Sequence, residues 1–280
     1  MVANVGSSSI FGPSAESMLL HHRTFAMHKP RGVLSISGNV AGQRTLSDLF
    51  DQCSGHIGRL DVQTSGLLLI TEDSSLLRAV LGHGNMQKTY SLLLGGSPTQ
   101  NALTSLGAPL SFSRAGRTVH AEAARVQDIR IFDDWQLAAN FEDIDRDDIN
   151  HISPAVRRVV PESSRLTEVE LQISQGRHHQ IRRLCHRAGV DLLHLRRTAI
   201  GPIALGSMCP GEVRELSADE KWQLYTALLS RVQQGHARKA AAAQAREGRE
   251  RRKQLRARWR EDTSGESPQI VTPEGQTRHK

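Results

Sequence analysis

Leu67-Leu68-Leu69-Ile70 is the stretch that most constrains how this chain can fold. It is short, apolar throughout, and bounded by Gly66 and by Glu72-Asp73, which is the pattern of a buried strand. A buried strand fixes the loop that enters it. Here that loop is Gly58-Arg59-Leu60-Asp61-Val62-Gln63-Thr64-Ser65, with one carboxylate, Asp61, two residues after Arg59. Taken alone, Asp61 fits a turn carboxylate that caps the backbone amides of Thr64 or Ser65. It also fits a functional group on a loop held by a rigid scaffold, with Arg59 close enough to share its site.

The chain has 280 residues, enough for one large or two small domains with a substantial core. No run approaches the roughly 18 apolar residues of a membrane span. The first 22 residues hold no Arg or Lys and include Glu16, which fits neither a secretory signal nor an Arg-rich transit peptide. The expected location is therefore intracellular and cytoplasmic, with organellar import disfavoured. Cys53, Cys185 and Cys209 are odd in number and widely spaced, so they give no disulfide framework and suit a reducing compartment. Cys53-x-x-His56 lacks the second pair of ligands that a structural zinc needs, and no metal is expected.

The net charge of +7 is unevenly placed. Residues 236–280 hold 12 Lys and Arg against 6 Asp and Glu, whereas the rest of the chain is almost neutral. A basic tail on a neutral body suits either an auxiliary contact with a polyanion or a solvated, partly helical extension.

In order along the chain, residues 1–22 are small and polar and read as a disordered tail. A strand is expected at Thr24–His28, then a turn forced by Pro30 and Gly32 with Lys29 and Arg31 at its tip. A short helix is expected over Thr45–Phe50, and another over Leu76–Leu81 capped from Asp73-Ser74-Ser75. Gln87–Leu94 is rich in strand formers. Residues 99–126 suggest a helix, a loop and a strand at Thr118–Val126. Asp128–Phe132 and Gln136–Phe141 are expected to pair as a hairpin. An irregular charged insert follows at about 142–165. Glu168–Ser174 alternates as a strand with one buried face. After Gly176, residues Ile181, Leu184 and Cys185 fall at helical spacing behind a basic stretch, Arg177 to Arg183, which alone would read as the solvated end of an amphipathic helix. Ser217-x-x-Glu220 is a capping box that opens a helix to about Val232. Residues 236–280 begin Ala- and Arg-rich, helical to about Trp259, and end as a basic tail. The expected organisation is a tail at 1–22, a folded domain at 23–235 and a basic tail at 236–280.

Gly58-Arg59-Leu60-Asp61-x-x-Thr64-x-Gly66-Leu67, closed by an apolar strand ending in Thr71, resembles the catalytic motif of the pseudouridine synthases of the RsuA/RluB/E/F family. Three further stretches resemble that family: Lys29-Pro30-x-Gly32, where His28 stands in place of an Asn, Lys88-x-Tyr90, and Gly176-Arg177-x-x-Gln180-Ile181-Arg182-Arg183. Leu195 to Pro202 resembles its closing pattern. The resemblance covers about residues 24–232 and is weakest at 142–166. It implies an α+β fold, a mixed and largely antiparallel sheet in two halves with a central catalytic cleft. It implies Asp61 as the catalytic carboxylate, Arg182 as its partner and Tyr90 as the ring that stacks on the target uracil. Arg59, Lys29, Arg31, Lys88, Arg177, Arg183 and Leu195 become candidate RNA or substrate contacts. The absence of room before Thr24 for a small RNA-binding domain points to the RluE-type members and to large-subunit ribosomal RNA as partner, with the protein a monomer.

The implied reaction is the isomerisation of uridine to pseudouridine in structured RNA, which needs no cofactor and no metal. A non-catalytic RNA-binding or ribosome-assembly factor on the same fold is the alternative, and an intact Asp61, Tyr90 and Arg182 speaks against it. A zinc-dependent deaminase would need His-x-Glu and Pro-Cys-x-x-Cys, and neither is present.

Overall fold

The computed structural model describes residues 22–52, 55–81, 86–132 and 165–263. In chain order the elements are β1 (Thr24–Lys29), β2 (Val33–Leu34), β3 (Arg44–Thr45), a 3-10 turn (Leu46–Asp48), β4 (His56–Ile57), β5 (Ser65–Thr71), α1 (Ser74–Leu81), β6 (Lys88–Gly95), α2 (Gln100–Gly107), β7 (Leu110–Arg114), β8 (Arg117–Ala121), β9 (Arg125–Phe132), β10 (Leu166–Ile173), α3 (Gln180–Ala188), β11 (Asp191–Ile200), β12 (Ile203–Ala204), β13 (Val213–Glu215) and α4 (Ala218–Thr263). The N-terminal tail to residue 21, the strand expected at Gln136–Phe141, the insert to residue 164 and the chain beyond 263 lie outside the described residues, as does Cys53.

β5 is apolar without alternation because both of its faces are covered. Leu67 and Leu69 join one cluster with Ile57, Val80, Ile200 and Leu224. Leu68 and Ile70 join another with Phe25, Met27, Val33 and Leu46. All four are essentially free of solvent, and burial of each contributes about 1.5–3 kcal/mol. A third cluster forms where the alternating faces of β6 (Tyr90, Leu92, Leu94) and β10 (Val169, Leu171, Ile173) meet Ile181, Leu184 and Cys185 of α3. The polar positions between them turn to the other face, where the Ser91 hydroxyl donates to Glu168 Oε1 at 2.6 Å.

The large sheet has the order β13-β1-β5-β11-β6-β10-β9, with β4 on β5 and β12 on β11. Every pairing in it is antiparallel except β5 with β11. That parallel seam is short, with Arg196 opposite Ser65 and Arg197 opposite Gly66. It divides the sheet into two halves and makes the fold α+β. Gly66 has φ +107, and a Cβ there would collide with the backbone of Arg197. Only glycine lets the strands close at this point. Arg197 itself is buried, its Nε donating to the carbonyl of Leu67 at 2.7 Å across the seam.

One expectation needs correction. The strand expected at Thr118–Val126 is broken: β8 ends at Ala121 and pairs with β7 in a separate hairpin. β9 pairs with β10, and the hairpin expected between Asp128–Phe132 and Gln136–Phe141 has its second strand outside the described residues. The chain divides into two units after Val232. In the first, the opening of α4 is held by the expected capping box, with Ser217 N donating to Glu220 Oε2 at 2.9 Å and Glu220 N to Ser217 Oγ at 3.2 Å. Leu224 and Leu228 bury its inner face. The helix itself continues unbroken for 46 residues.

Candidate active site

Asp61 sits at the end of a loop tied down on several sides. Leu60 is buried in the cluster of Tyr90 and Leu195. Its backbone is clasped by Ser35, whose hydroxyl donates to the Leu60 carbonyl at 2.8 Å and accepts from Leu60 N at 3.1 Å. Gly32 N donates to Val62 O and Thr64 N to Asp61 O, each at 2.9 Å. The turn is therefore closed by the Asp61 backbone, which leaves the carboxylate facing outward from the loop, 37% exposed. A turn-capping role does not account for it.

Two side chains of the α3 region face that carboxylate. Arg182 Nε lies 3.7 Å from Oδ2, and His179 Nε2 lies 3.5 Å from Oδ1. Arg182 also donates through Nη2 to Gln63 O at 2.8 Å and to Thr64 Oγ1 at 3.3 Å, so it holds the loop as well as the charge. Burial lowers the Arg182 pKa from its ordinary value, the Asp61 carboxylate opposes that, and Arg31 adds to it. A guanidinium stays charged through such a change. The distances to Asp61 are longer than hydrogen bonds, as is common for catalytic groups before substrate closes the site.

The cleft over this pair has a volume of about 580 Å³, within the range of small-molecule sites. Tyr90, Leu195, Ile173 and Ile181 form an apolar wall, and Arg59, Arg114, Arg177, His178 and His179 form a basic and imidazole rim. Tyr90 and Leu195 are both buried. Tyr90 lies on β6 opposite Arg197 of β11 and Leu171 of β10, so sheet pairing fixes its height in the cleft.

The sequence candidates divide accordingly. Asp61, Arg182, Tyr90, Arg59, Arg177 and Leu195 line one cleft. Lys29, Arg31, Lys88 and Arg183 do not. Lys29 is fully buried, not at a turn tip: its ammonium donates to Pro30 O at 2.7 Å and Val33 O at 2.9 Å, which holds the turn from within. Arg31 donates to Gln63 Oε1 at 2.9 Å, so it braces the loop outside the cleft lining. Lys88 donates to Met86 O at 2.8 Å. Arg183 stacks its guanidinium 4.4 Å from the Phe112 ring centroid. His28, which stands where the family has Asn, is buried with Nδ1 2.8 Å from Met208 O. Among the basic and imidazole residues of the cleft, Arg114, His178 and His179 are absent from the sequence candidates. Arg114 is delivered by the β7–β8 hairpin, and His179 by a left-handed residue at the start of α3.

Residues 23–187 match the family model described as RNA pseudouridylate synthase. A Mycobacterium bovis protein named as an uncharacterized RNA pseudouridine synthase is 30% identical over 210 residues, covering 72% of this chain and 69% of that protein. The ribosomal large subunit pseudouridine synthase E of Vibrio parahaemolyticus is 29% identical over 203 residues, 71% of this chain and 75% of its own. A crystal structure of a pseudouridylate synthase, 22% identical, superposes with a TM-score of 0.52 over 73% of this chain and 74% of that one, which is a likeness of fold.

Proposed function

This chain belongs to the RNA pseudouridylate synthase family and isomerises uridine to pseudouridine in RNA; from that premise we propose that its substrate is large-subunit ribosomal RNA and that Asp61 is the carboxylate on which the reaction depends. The likeness to the Vibrio synthase E supports the choice of RNA and the RluE-like subtype. The observation that supports the mechanism is the bracketing of one carboxylate by Arg182 and His179 at the mouth of a cleft walled by Tyr90 and Leu195.

The reaction breaks the bond from the ribose C1′ to N1 of uracil and forms one from C1′ to C5. The C5 proton is lost and N1 gains one, so nothing is consumed. Asp61 has two possible roles, attack on the ribose or removal of a ribose proton, and each needs it ionised and held in direction. Arg182 supplies the direction: its guanidinium lies 3.7 Å from the carboxylate, and its ties to Gln63 and Thr64 fix the geometry. The uridine must first leave its stack, at a cost of a few kcal/mol. Tyr90 stacks on the flipped uracil, a contact worth about 1–3 kcal/mol. Arg59 fills the space the base leaves, and Leu195 closes the pocket opposite Tyr90. Arg114 and Arg177 on the rim meet phosphates, which position RNA without specifying sequence.

The test is a pseudouridine map of ribosomal RNA from cells with and without the gene, complemented by wild-type protein or by Asp61→Asn. One large-subunit site is expected to lose its pseudouridine without the gene and to regain it only with wild type. An unchanged map, with RNA binding intact, would favour a non-catalytic binding role.

A further inference from the structure

Of the two groups that face Asp61, one has a backbone the fold does not easily supply. His179 is the N-cap of α3 with φ 52 and ψ 29, in the left-handed region. Residues other than glycine visit that region infrequently, Asn, Asp and His more often than the rest, and holding one there costs strain. N-caps are usually Ser, Thr, Asp or Asn, whose oxygens accept from the first turn. His179 makes no such side-chain cap. Helix capping therefore does not explain the residue, and a glycine would hold the same backbone with less strain.

The side chain does explain it. Nε2 faces Asp61 Oδ1 at 3.5 Å, while Arg182, three residues on and one helical turn away, takes Oδ2 at 3.7 Å. The imidazole is also held in plane. Its ring stacks on that of His178 with centroids 3.9 Å apart and planes 13° from parallel. Burial, then His179 and Arg114, lower the His178 pKa from its ordinary value, and Asp61 opposes them.

We propose that His179 is a positioning residue for Asp61: the left-handed start of α3 is retained because it aims Nε2–H at Oδ1, so that Arg182 and His179 together fix the direction of both carboxylate oxygens. This rests on Asp61 being the reacting carboxylate.

Glycine and asparagine tolerate the left-handed region, so His179→Gly and His179→Asn separate the two roles. Both variants are expected to fold and to melt at or above the wild-type temperature. kcat on the target RNA is expected to fall about ten- to a hundredfold, the loss of one contact to the reacting carboxylate that tightens when substrate closes the site, with KM changed less than about twofold. His179→Gln, which keeps a donor at a similar reach, should recover part of kcat. Full kcat in His179→Gly, or a loss of kcat that simply follows a fall in melting temperature, overturns the proposal. Imidazole 15N NMR decides the contact without any turnover: the Nε2 resonance of His179 should move in Asp61→Ala, and an unmoved resonance would sink the idea. Should wild type form no pseudouridine in any ribosomal RNA, the functional reading fails, and the NMR result still stands by itself.

Discussion

Helix α3 carries Arg182, Arg183 and Arg187 within nine residues, and α4 beyond Val232 carries Arg246, Arg249, Arg251, Arg252 and Lys253 within eight. On α3 every arginine has a structural address. Arg182 holds the loop of Asp61. Arg183 covers Phe112. Arg187 donates to the carbonyls of Ser105, Ala108 and Pro109, closing the end of α2. On α4 the five cationic side chains are exposed, and none of the described side chains from Ala242 to Gln254 is buried. Two of the arginines find partners within the helix itself: Arg246 Nε is 3.6 Å from Glu250 Oε1, and Arg252 Nε donates to Gly248 O at 3.3 Å. The cause of the difference is the apolar face. Ile181, Leu184 and Cys185 bury one side of α3, so the helix has a fixed rotation and each guanidinium becomes a direction. Without such a face, the same residues supply only charge. α3 should be sensitive to geometry, and the outer part of α4 to the number of charges.

The largest expected effect tests what α3 points at. Asp61→Asn keeps the size and hydrogen bonding of the side chain and removes its charge. Turnover on substrate RNA is expected to fall about 100- to 10,000-fold, while RNA binding and the melting temperature stay near wild type. Measurable turnover at the wild-type rate would remove Asp61 as the reacting group and leave α3 aimed at nothing.

Next in size is Arg182. Arg182→Ala removes the ties to Gln63 and Thr64 and leaves Asp61 without its guanidinium. Hydrogen bonds to charged groups contribute about 1.5–3 kcal/mol each, so a loss of at least tenfold in kcat is expected. Arg182→Lys should recover only part of it, because an ammonium lacks the planar fork that reaches Nε and Nη2 partners together. Full recovery by lysine would reduce α3 to a source of charge like outer α4, and the comparison would collapse.

A third substitution separates scaffold from helix. Gly66→Ala places a Cβ against the backbone of Arg197 at φ +107. Strain of this kind costs about 1–3 kcal/mol even before the collision is counted. Thermal unfolding of the first unit should shift down sharply, and activity should fall with it, since Asp61 enters the cleft from the loop before β5 and Leu195 from β11, the two strands that meet there.

Much of this site was legible because its chemistry is concentrated in continuous stretches. Asp61 precedes a strand whose apolar run is unmistakable, and Arg182 follows Gln180-Ile181 at the head of a helix with clear spacing. What escaped depends on backbone conformation. His179 reads as one more basic residue in a polar segment, and only its positive φ turns it toward Asp61. Arg114 needs the β7–β8 hairpin, whose two-residue turn is Ala115-Gly116, both at positive φ. Asn-Gly or Asp-Gly would have announced such a turn; alanine does not. Lys29 was misplaced for the opposite reason. A lysine beside Pro30 and Gly32 looks exposed, but β1 is buried along its whole length, and the ammonium meets two carbonyls of the turn that follows it. The two helices expected on either side of residue 235 are one helix, because Gln233 to His236 contains no proline to stop it and one glycine costs only about 1 kcal/mol.

The smallest effect belongs to outer α4, and it is read in salt dependence rather than in rate. Replacing Arg249, Arg251, Arg252 and Lys253 with Gln in the full chain removes charge and keeps helix propensity. If these side chains meet RNA phosphates, the slope of log K against log[salt] becomes shallower by about 0.7–0.9 for each phosphate no longer neutralised. The site modified should not change, since phosphate contacts position and do not specify. Replacing the three arginines with Lys instead should leave both affinity and slope at wild-type values, because lysine carries the same charge and this surface has no fixed geometry to lose. Arg182→Lys and this triple Lys variant thus form a matched pair, the same chemical change on two helices. An unchanged slope in the Gln variant would make outer α4 a solvated extension. A large fall in affinity in the triple Lys variant would show that its arginines have partners of defined shape, and the contrast with α3 would no longer hold.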